Sequence, residues 1–127
     1  MAVELEHVVL TCPENPLAGI VLLHGASESP YSMRALADVF FAAGLYVIAV
    51  RLPGHGTIPG ELTAVRPEDW QAIVPMAVAH VGERIGNDKP IHLGGYSAGA
   101  AVVLNYALLE TRALEFCRAC NQSLSQN

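Results

Sequence analysis

Cysteine and positive charge are both scarce in this chain. The three cysteines, Cys12, Cys117 and Cys120, are an odd set that makes no disulfide framework. Lys and Arg together number 7 against 12 Asp and Glu, a formal net charge of -5. Nucleic acids and anionic membranes select basic patches, so neither is expected as a partner. No continuous apolar run approaches the length of a membrane span, and the start MAVELEHV lacks a basic segment leading into an apolar one. A cytoplasmic location is the default expectation. Charged residues make up only 15% of the chain and hydrophobic ones 52%, which excludes disorder as the general state. A chain of 127 residues forms one domain at most, burying roughly 65% of the surface its unfolded form exposes.

What is present alternates between strand and helix patterns. Val3 to Thr11 is partly alternating and β-branched, and Pro13 and Pro16 close it, so it reads as a strand. Ala18 to Leu23, Leu45 to Val50 and Pro90 to Leu93 are short apolar runs of the kind that parallel strands covered on both faces require. After the first of these runs, Ser29 offers an N-cap, Pro30 suits a first turn, and Met33, Leu36, Ala37, Phe40 and Phe41 recur at helical spacing up to Gly44. After the second comes Arg51 to Arg66, a Gly/Pro-rich loop long enough to be functional. Pro67 then opens a helix with the stripe Trp70, Val74, Val78, Val81 and Ile85, and Gly86 ends it. Pro75 lacks an N–H and crowds the Gln71 carbonyl, which predicts a kink or break. After the third run, Ala98 to Leu109 reads as a helix burying Val102, Val103, Tyr106 and Leu109. Repeated strand–helix units predict a parallel sheet with right-handed crossovers.

The chain is organised around Lys89 to Ala101, KPIHLGGYSAGAA, where the third apolar run ends in Gly95-Tyr96-Ser97-Ala98-Gly99 and a helix begins at once. This is GxSxG between strand and helix. A serine on so sharp a turn needs neighbours without bulky side chains two residues before and after, and Gly95 and Gly99 meet that need. Ser97 would stand above the carboxyl edge of the sheet, with the Ala98 N–H aimed at a developing oxyanion. A Gly/Ser turn without chemistry is the competing reading of the motif alone.

Four features in order, LLHGASES, RLPGHG, RPEDW and GGYSAGA, resemble the amino-terminal half of an α/β-hydrolase of the carboxylesterase, monoacylglycerol lipase and serine aminopeptidase-like branch. The resemblance covers roughly residues 18 to 112. It implies a three-layer α/β-hydrolase-type fold with a mainly parallel sheet, in which the Ala18 strand lies between the Leu45 and Lys89 strands. It implies that Ser97 is the nucleophile, that the Ala98 and Ala26 amides form the oxyanion hole, and that His24 and Gly25 shape the Ala26 loop. A small acyl ester is the implied substrate, with no metal and no cofactor. Ala100 stands where many relatives have Gly, which tightens helix–strand packing and leaves the serine chemistry untouched.

The departure lies downstream. The triad of this fold runs Ser, then Asp or Glu, then His, yet no His or Asp follows Ser97, and Glu110 and Glu115 are the only later acids. His7, His24, His55, His80 and His92 all precede the serine. Residues 1–112 therefore read as the amino-terminal part of the domain, truncated after the elbow helix, and 113–127 as an atypical polar tail expected to be disordered. A truncated gene product or a change of reading frame after Arg112 would both explain that tail. The Cys117/Cys120 CxxC lacks the four ligands of a zinc site and the setting of a redox motif. Three readings follow: a serine-hydrolase fragment, inactive alone or completed by a complementing carboxyl-terminal polypeptide; a non-catalytic binding or scaffold protein; and, weakest, a metal or redox protein. An open edge at the Pro90 strand predicts aggregation or self-association.

Overall fold

The computed structural model describes residues 6–9, 14–25, 29–52, 67–86 and 88–110. Among them, β1 (Glu6–Val9), β2 (Gly19–Leu23), β3 (Tyr46–Arg51) and β4 (Ile91–Gly95) form one sheet in the order β1-β3-β2-β4. β2 is parallel to both neighbours, with Gly19 opposite Tyr46 and Ile91, and Leu23 opposite Val50 and Gly95. The expected central position of the Ala18 strand is therefore met. β1 runs antiparallel along β3, pairing Glu6 with Arg51 and Val9 with Ile48.

Side chains alternate between faces along a strand, and here each face has its own core. Ile20 and Leu22 of β2 and Val47 and Ala49 of β3 pack with Met33 and Ala37, next to and within helix α1 (Arg34–Ala42). Val21 and Leu23 with Tyr46, Ile48 and Val50 pack on the other face against helix α2 (Pro67–Ile85), through Ile73, Val74, Ala77, Val81 and Ile85, and against helix α3 (residues 98–110), through Val102 and Val103. The result is helix, sheet, helix in three layers. Right-handed crossovers dictate this split: α1 carries the chain from β2 outward to β3, α2 carries it back across β2 to β4, and the reversal puts the helices on opposite faces.

Helix ends follow the sequence in one case and depart from it in another. Gly44 has φ 94 and closes α1 in a Schellman arrangement, its N–H donating to the Phe41 carbonyl at 3.0 Å while the Leu45 N–H reaches Phe40 at 3.2 Å. Ser29 does not cap α1. It is extended (φ -142, ψ 173) and its side chain makes no capping bond; its carbonyl instead accepts from the Ser32 N–H at 3.0 Å and the Ser32 hydroxyl at 2.8 Å, opening a 3-10 turn, Pro30–Met33, before the helix proper.

Two further expectations are corrected. α2 continues through Pro75 without a break; both Pro75 and Gln71 face solvent, so water can take the orphaned Gln71 carbonyl while Val74, Ala77 and Val81 hold the buried side. Leu109 is exposed, because it lies beyond Tyr106, the last α3 residue packed on the core. Leu36 is also exposed, on the side of α1 away from the sheet. The boundary at 112, the tail with Cys117 and Cys120, His55 and Cys12 lie outside the described residues.

The central strand pair should dominate stability. Ile48 of β3 is fully buried and touches the core of the α2/α3 face, so Ile48→Ala should cost about 2–5 kcal/mol. Val39→Ala, on an exposed side of α1, should cost less than about 0.5 kcal/mol. Urea unfolding followed by circular dichroism reads both, and equal shifts for the two would contradict this placement of the core.

Candidate active site

The carboxyl ends of β2, β3 and β4 meet at one edge, and two hydrogen bonds fasten them. His24, directly after β2, is fully buried. Its Nε2 accepts the Leu52 N–H, just past β3, at 3.0 Å. Because an amide N–H can only donate, the imidazole proton sits on Nδ1, which donates to the Gly25 carbonyl at 2.7 Å. On the other side the Tyr96 N–H, just past β4, donates to the Leu23 carbonyl at 3.1 Å.

Adjacent strands β2 and β4 send their chains to opposite faces, β2 toward α1 and β4 into α3. In open α/β sheets this divergence opens a crevice at the carboxyl ends of the strands, where ligands bind. Ser97 stands at that edge, between β4 and α3. It is exposed, and its φ of 54 places it in the left-handed region, alone among the described non-glycine residues. A non-glycine residue pays of order 1–3 kcal/mol to stay there, and persists only where the surroundings hold it.

What holds it is backbone packed on backbone. A Cβ on Gly95 would lie 2.5 Å from the Ala100 nitrogen and from the Gly99 carbonyl carbon. A Cβ on Gly99 would collide with the carbonyl oxygens of Leu23 and His24. The turn thus closes so tightly that α3 starts against the end of β2. The Gly99 N–H donates to Tyr96 at 3.0 Å and the Ala101 N–H to Ser97 at 3.2 Å. Ala98 is the first residue of α3, where a helix leaves its N–H outside the backbone ladder and its dipole favours negative charge.

Of the residues singled out from sequence, the structure brings His24, Gly25, Gly95, Ser97, Ala98 and Gly99 to one edge. Ala26 lies outside the described residues. The histidines are dispersed: both ring nitrogens of His24 are engaged, His80 on α2 shares a 3.2 Å hydrogen bond with the Tyr46 hydroxyl of β3, and His92 is exposed on β4. His55 and the side chain of His7 are outside the described residues. Among the described residues no group of three or more His, Cys, Asp or Glu could hold a metal ion, and no helix is long and apolar enough to cross a membrane. Sequence reading missed Leu52 as the partner of His24. No local pattern signals it, since the bond spans 28 positions and uses a main-chain group.

Farther along α3, burial raises the Tyr106 hydroxyl above its ordinary pKa of 10.0, and the Glu110 charge adds to the rise. The folded state therefore holds this proton longer than the unfolded chain does, and its contribution is present below pH 10 and lost above it. Spectrophotometric titration should show Tyr106 ionising at lower pH in Glu110→Gln than in the native sequence; an unchanged midpoint would remove Glu110 as a cause. A second outcome tests the turn. Gly99→Ala should destabilise the chain by about 1–3 kcal/mol in urea unfolding, whereas Ala101→Gly, at an exposed position of the same helix, should cost at most about 1 kcal/mol.

Comparison with known proteins agrees with this geometry. The sequence model of the alpha/beta hydrolase family matches residues 20–120. The thermostable monoacylglycerol lipase of Bacillus sp. (strain H-257) is 34% identical over 94 residues, covering 74% of this chain and 36% of the lipase. Phospholipase YtpA of Bacillus subtilis (strain 168) is 29% identical over 93 residues, covering 73% of this chain and 35% of the phospholipase. A solved structure reported for LipS and LipT, two metagenome-derived lipolytic enzymes, superposes with a TM-score of 0.65 at 35% identity, over 76% of this chain and 37% of that one. The chain spans about a third of the length of these relatives. With the parallel sheet, the serine turn and the family match in agreement, the chain belongs to the alpha/beta hydrolase family.

Proposed function

We propose that this chain carries the nucleophile of a serine hydrolase acting on acyl esters, and that the 127 residues alone are a fragment without turnover. The observation that carries the reading is Ser97 itself, exposed at the carboxyl end of β4 and held at φ 54. That posture is costly in a plain turn and useful where a hydroxyl must meet a substrate carbonyl. The lipolytic relatives support an ester substrate.

In this mechanism Ser97 Oγ attacks the ester carbonyl carbon as its proton passes to an imidazole. The carbonyl oxygen becomes an oxyanion, which the Ala98 N–H and the Ala26 N–H stabilise; one such donor is worth roughly 3–4 kcal/mol in a working enzyme. The C–O bond then breaks, the imidazole proton goes to the leaving alcohol, and water hydrolyses the acyl-serine by the reverse proton path. Within the described residues the imidazole does not come from His24, whose Nε2 already accepts the Leu52 N–H. In this reading the base and its orienting acid follow the nucleophile in chain order, and since no His or Asp follows Ser97 here, they are taken from further polypeptide.

A fluorophosphonate probe reports a base-activated serine. The purified 127-residue chain should label negligibly and hydrolyse activated short-chain esters only at trace rates, limited to the residual roughly 10³–10⁴ acceleration that oxyanion stabilisation and binding provide. Stoichiometric labelling abolished by Ser97→Ala would show that the chain contains its own base. One alternative is a non-catalytic scaffold of the same fold, in which His24 serves only as a structural brace. That reading predicts no labelling even when acid and histidine segments are supplied.

A further inference from the structure

A hollow opens on the α1 side of the sheet. Its floor is Ala37 of α1 with Val47 and Ala49 of β3, all three buried. Its rim carries Arg34, the first residue of α1, and Arg51, the last of β3, with Ser29 and Tyr31 at the 3-10 turn between them. The enclosed volume is about 350 Å³, at the lower end of the range for small-molecule sites. The serine turn lies elsewhere: Ser97 follows β4, on the other side of β2 from β3, and α3 leaves it for the opposite face of the sheet.

Positive charge is scarce in this chain, with 7 Lys and Arg in all, yet Arg34 and Arg51 both stand at this hollow. Among the described residues no acid lines it, since Asp38, one turn along α1 from Arg34, faces solvent outside it. Arg34 is also placed against helix electrostatics, at the end of α1 where the dipole favours an anion. Arg51 has its Nε buried, which anchors the side chain in the wall. The cations call for a negative group, and the floor calls for hydrocarbon.

We infer that this hollow binds a small amphiphilic monocarboxylate, its carboxylate held by Arg34 and Arg51 and its apolar body on Ala37, Val47 and Ala49. The planar fork of an arginine matches a carboxylate in two parallel N–H···O bonds. The rivals for this place are the chain's own acids. Glu6 is opposite Arg51 in the register of β1 on β3, Glu28 directly precedes Ser29, and Glu61 lies between Leu52 and Pro67. A glutamate brings a carboxylate but too little hydrocarbon to cover the floor, whereas a free amphiphile brings both. The site stands whether or not Ser97 is a nucleophile.

The test is titration calorimetry of the 127-residue chain with octanoate, with octanamide as the same hydrocarbon without charge, and with inorganic phosphate as charge without hydrocarbon. Octanoate should bind 1:1 and at least tenfold tighter than either. Arg34→Gln, at an exposed position, should weaken octanoate at least fivefold, and Arg34→Lys, which keeps the charge, should lose less. Ala49→Val narrows the hollow and should also weaken it. Arg84→Gln, at an exposed cation of α2 on the opposite face, and Ser97→Ala should each leave octanoate within about twofold. Circular dichroism should confirm that every variant folds. Octanoate no tighter than octanamide, phosphate as tight as octanoate, or indifference to Arg34 would each overturn the inference. Binding seen only after Glu6→Gln, Glu28→Gln or Glu61→Gln would overturn it too, by giving the place to the chain's own carboxylate. Loss of binding in Ser97→Ala would do the same, by moving the ligand to the serine turn.

Discussion

The hydrogen bond from the Leu52 N–H to His24 Nε2 is the constraint on which the rest of the site depends. It joins the ends of two parallel strands inside the protein, where an amide without a partner costs about 1–3 kcal/mol. It also fixes the imidazole tautomer, and the second ring nitrogen then anchors Gly25. The loop leading toward Ala26 therefore leaves the sheet from a determined point. A histidine suits this role because it can accept on one nitrogen while donating from the other. Leucine would fill the volume and strand both main-chain groups. The residue that sequence resemblance assigns to the oxyanion loop is thus a structural cross-brace, and the same two bonds keep it out of proton transfer.

Against that brace the serine turn is built by exclusion of side chains. α3 can begin beside Leu23 and His24 only because Gly99 has no Cβ, and the turn can close only because Gly95 has none. Closure forces Ser97 to φ 54. The position of the hydroxyl is therefore set by three pieces of backbone pressed together, β2, β4 and the first turn of α3, with little left to rotamer choice. Preorganisation of this kind is what an attacking group requires, since misplacement by an ångström is costly in rate.

Much of this was legible in the sequence. Apolar runs gave the three parallel strands to within about two residues, and the glycine spacing around Ser97 marked the turn, because both signals are local. The departures were non-local. Ser29 has the chemistry of a cap, but Pro30 and the Ser32 hydrogen bonds draw its carbonyl into a 3-10 turn. Pro75 is a helix breaker by propensity, yet its defect falls on the solvent side of a helix whose other side is buried, and tertiary packing prevails. Leu109 continues the periodicity of Val102, but periodicity says only which side of a helix a residue is on, and not whether anything stands there to cover it. The partner of His24 was invisible for a different reason: a backbone N–H has no sequence signature.

That limit of periodicity also separates what the fold provides from what the chemistry needs. The sheet edge and α3 position a serine without regard to what lies beyond β4, since β2, His24 and the two glycines suffice for the turn. Activation of the hydroxyl is another matter, because a neutral serine is a weak nucleophile until an imidazole takes its proton. The two requirements are met by different parts of a hydrolase, positioning by contacts within this chain and activation by groups that this sequence does not place after Ser97. A chain holding the first without the second can keep the strained turn at full cost and gain no rate from it.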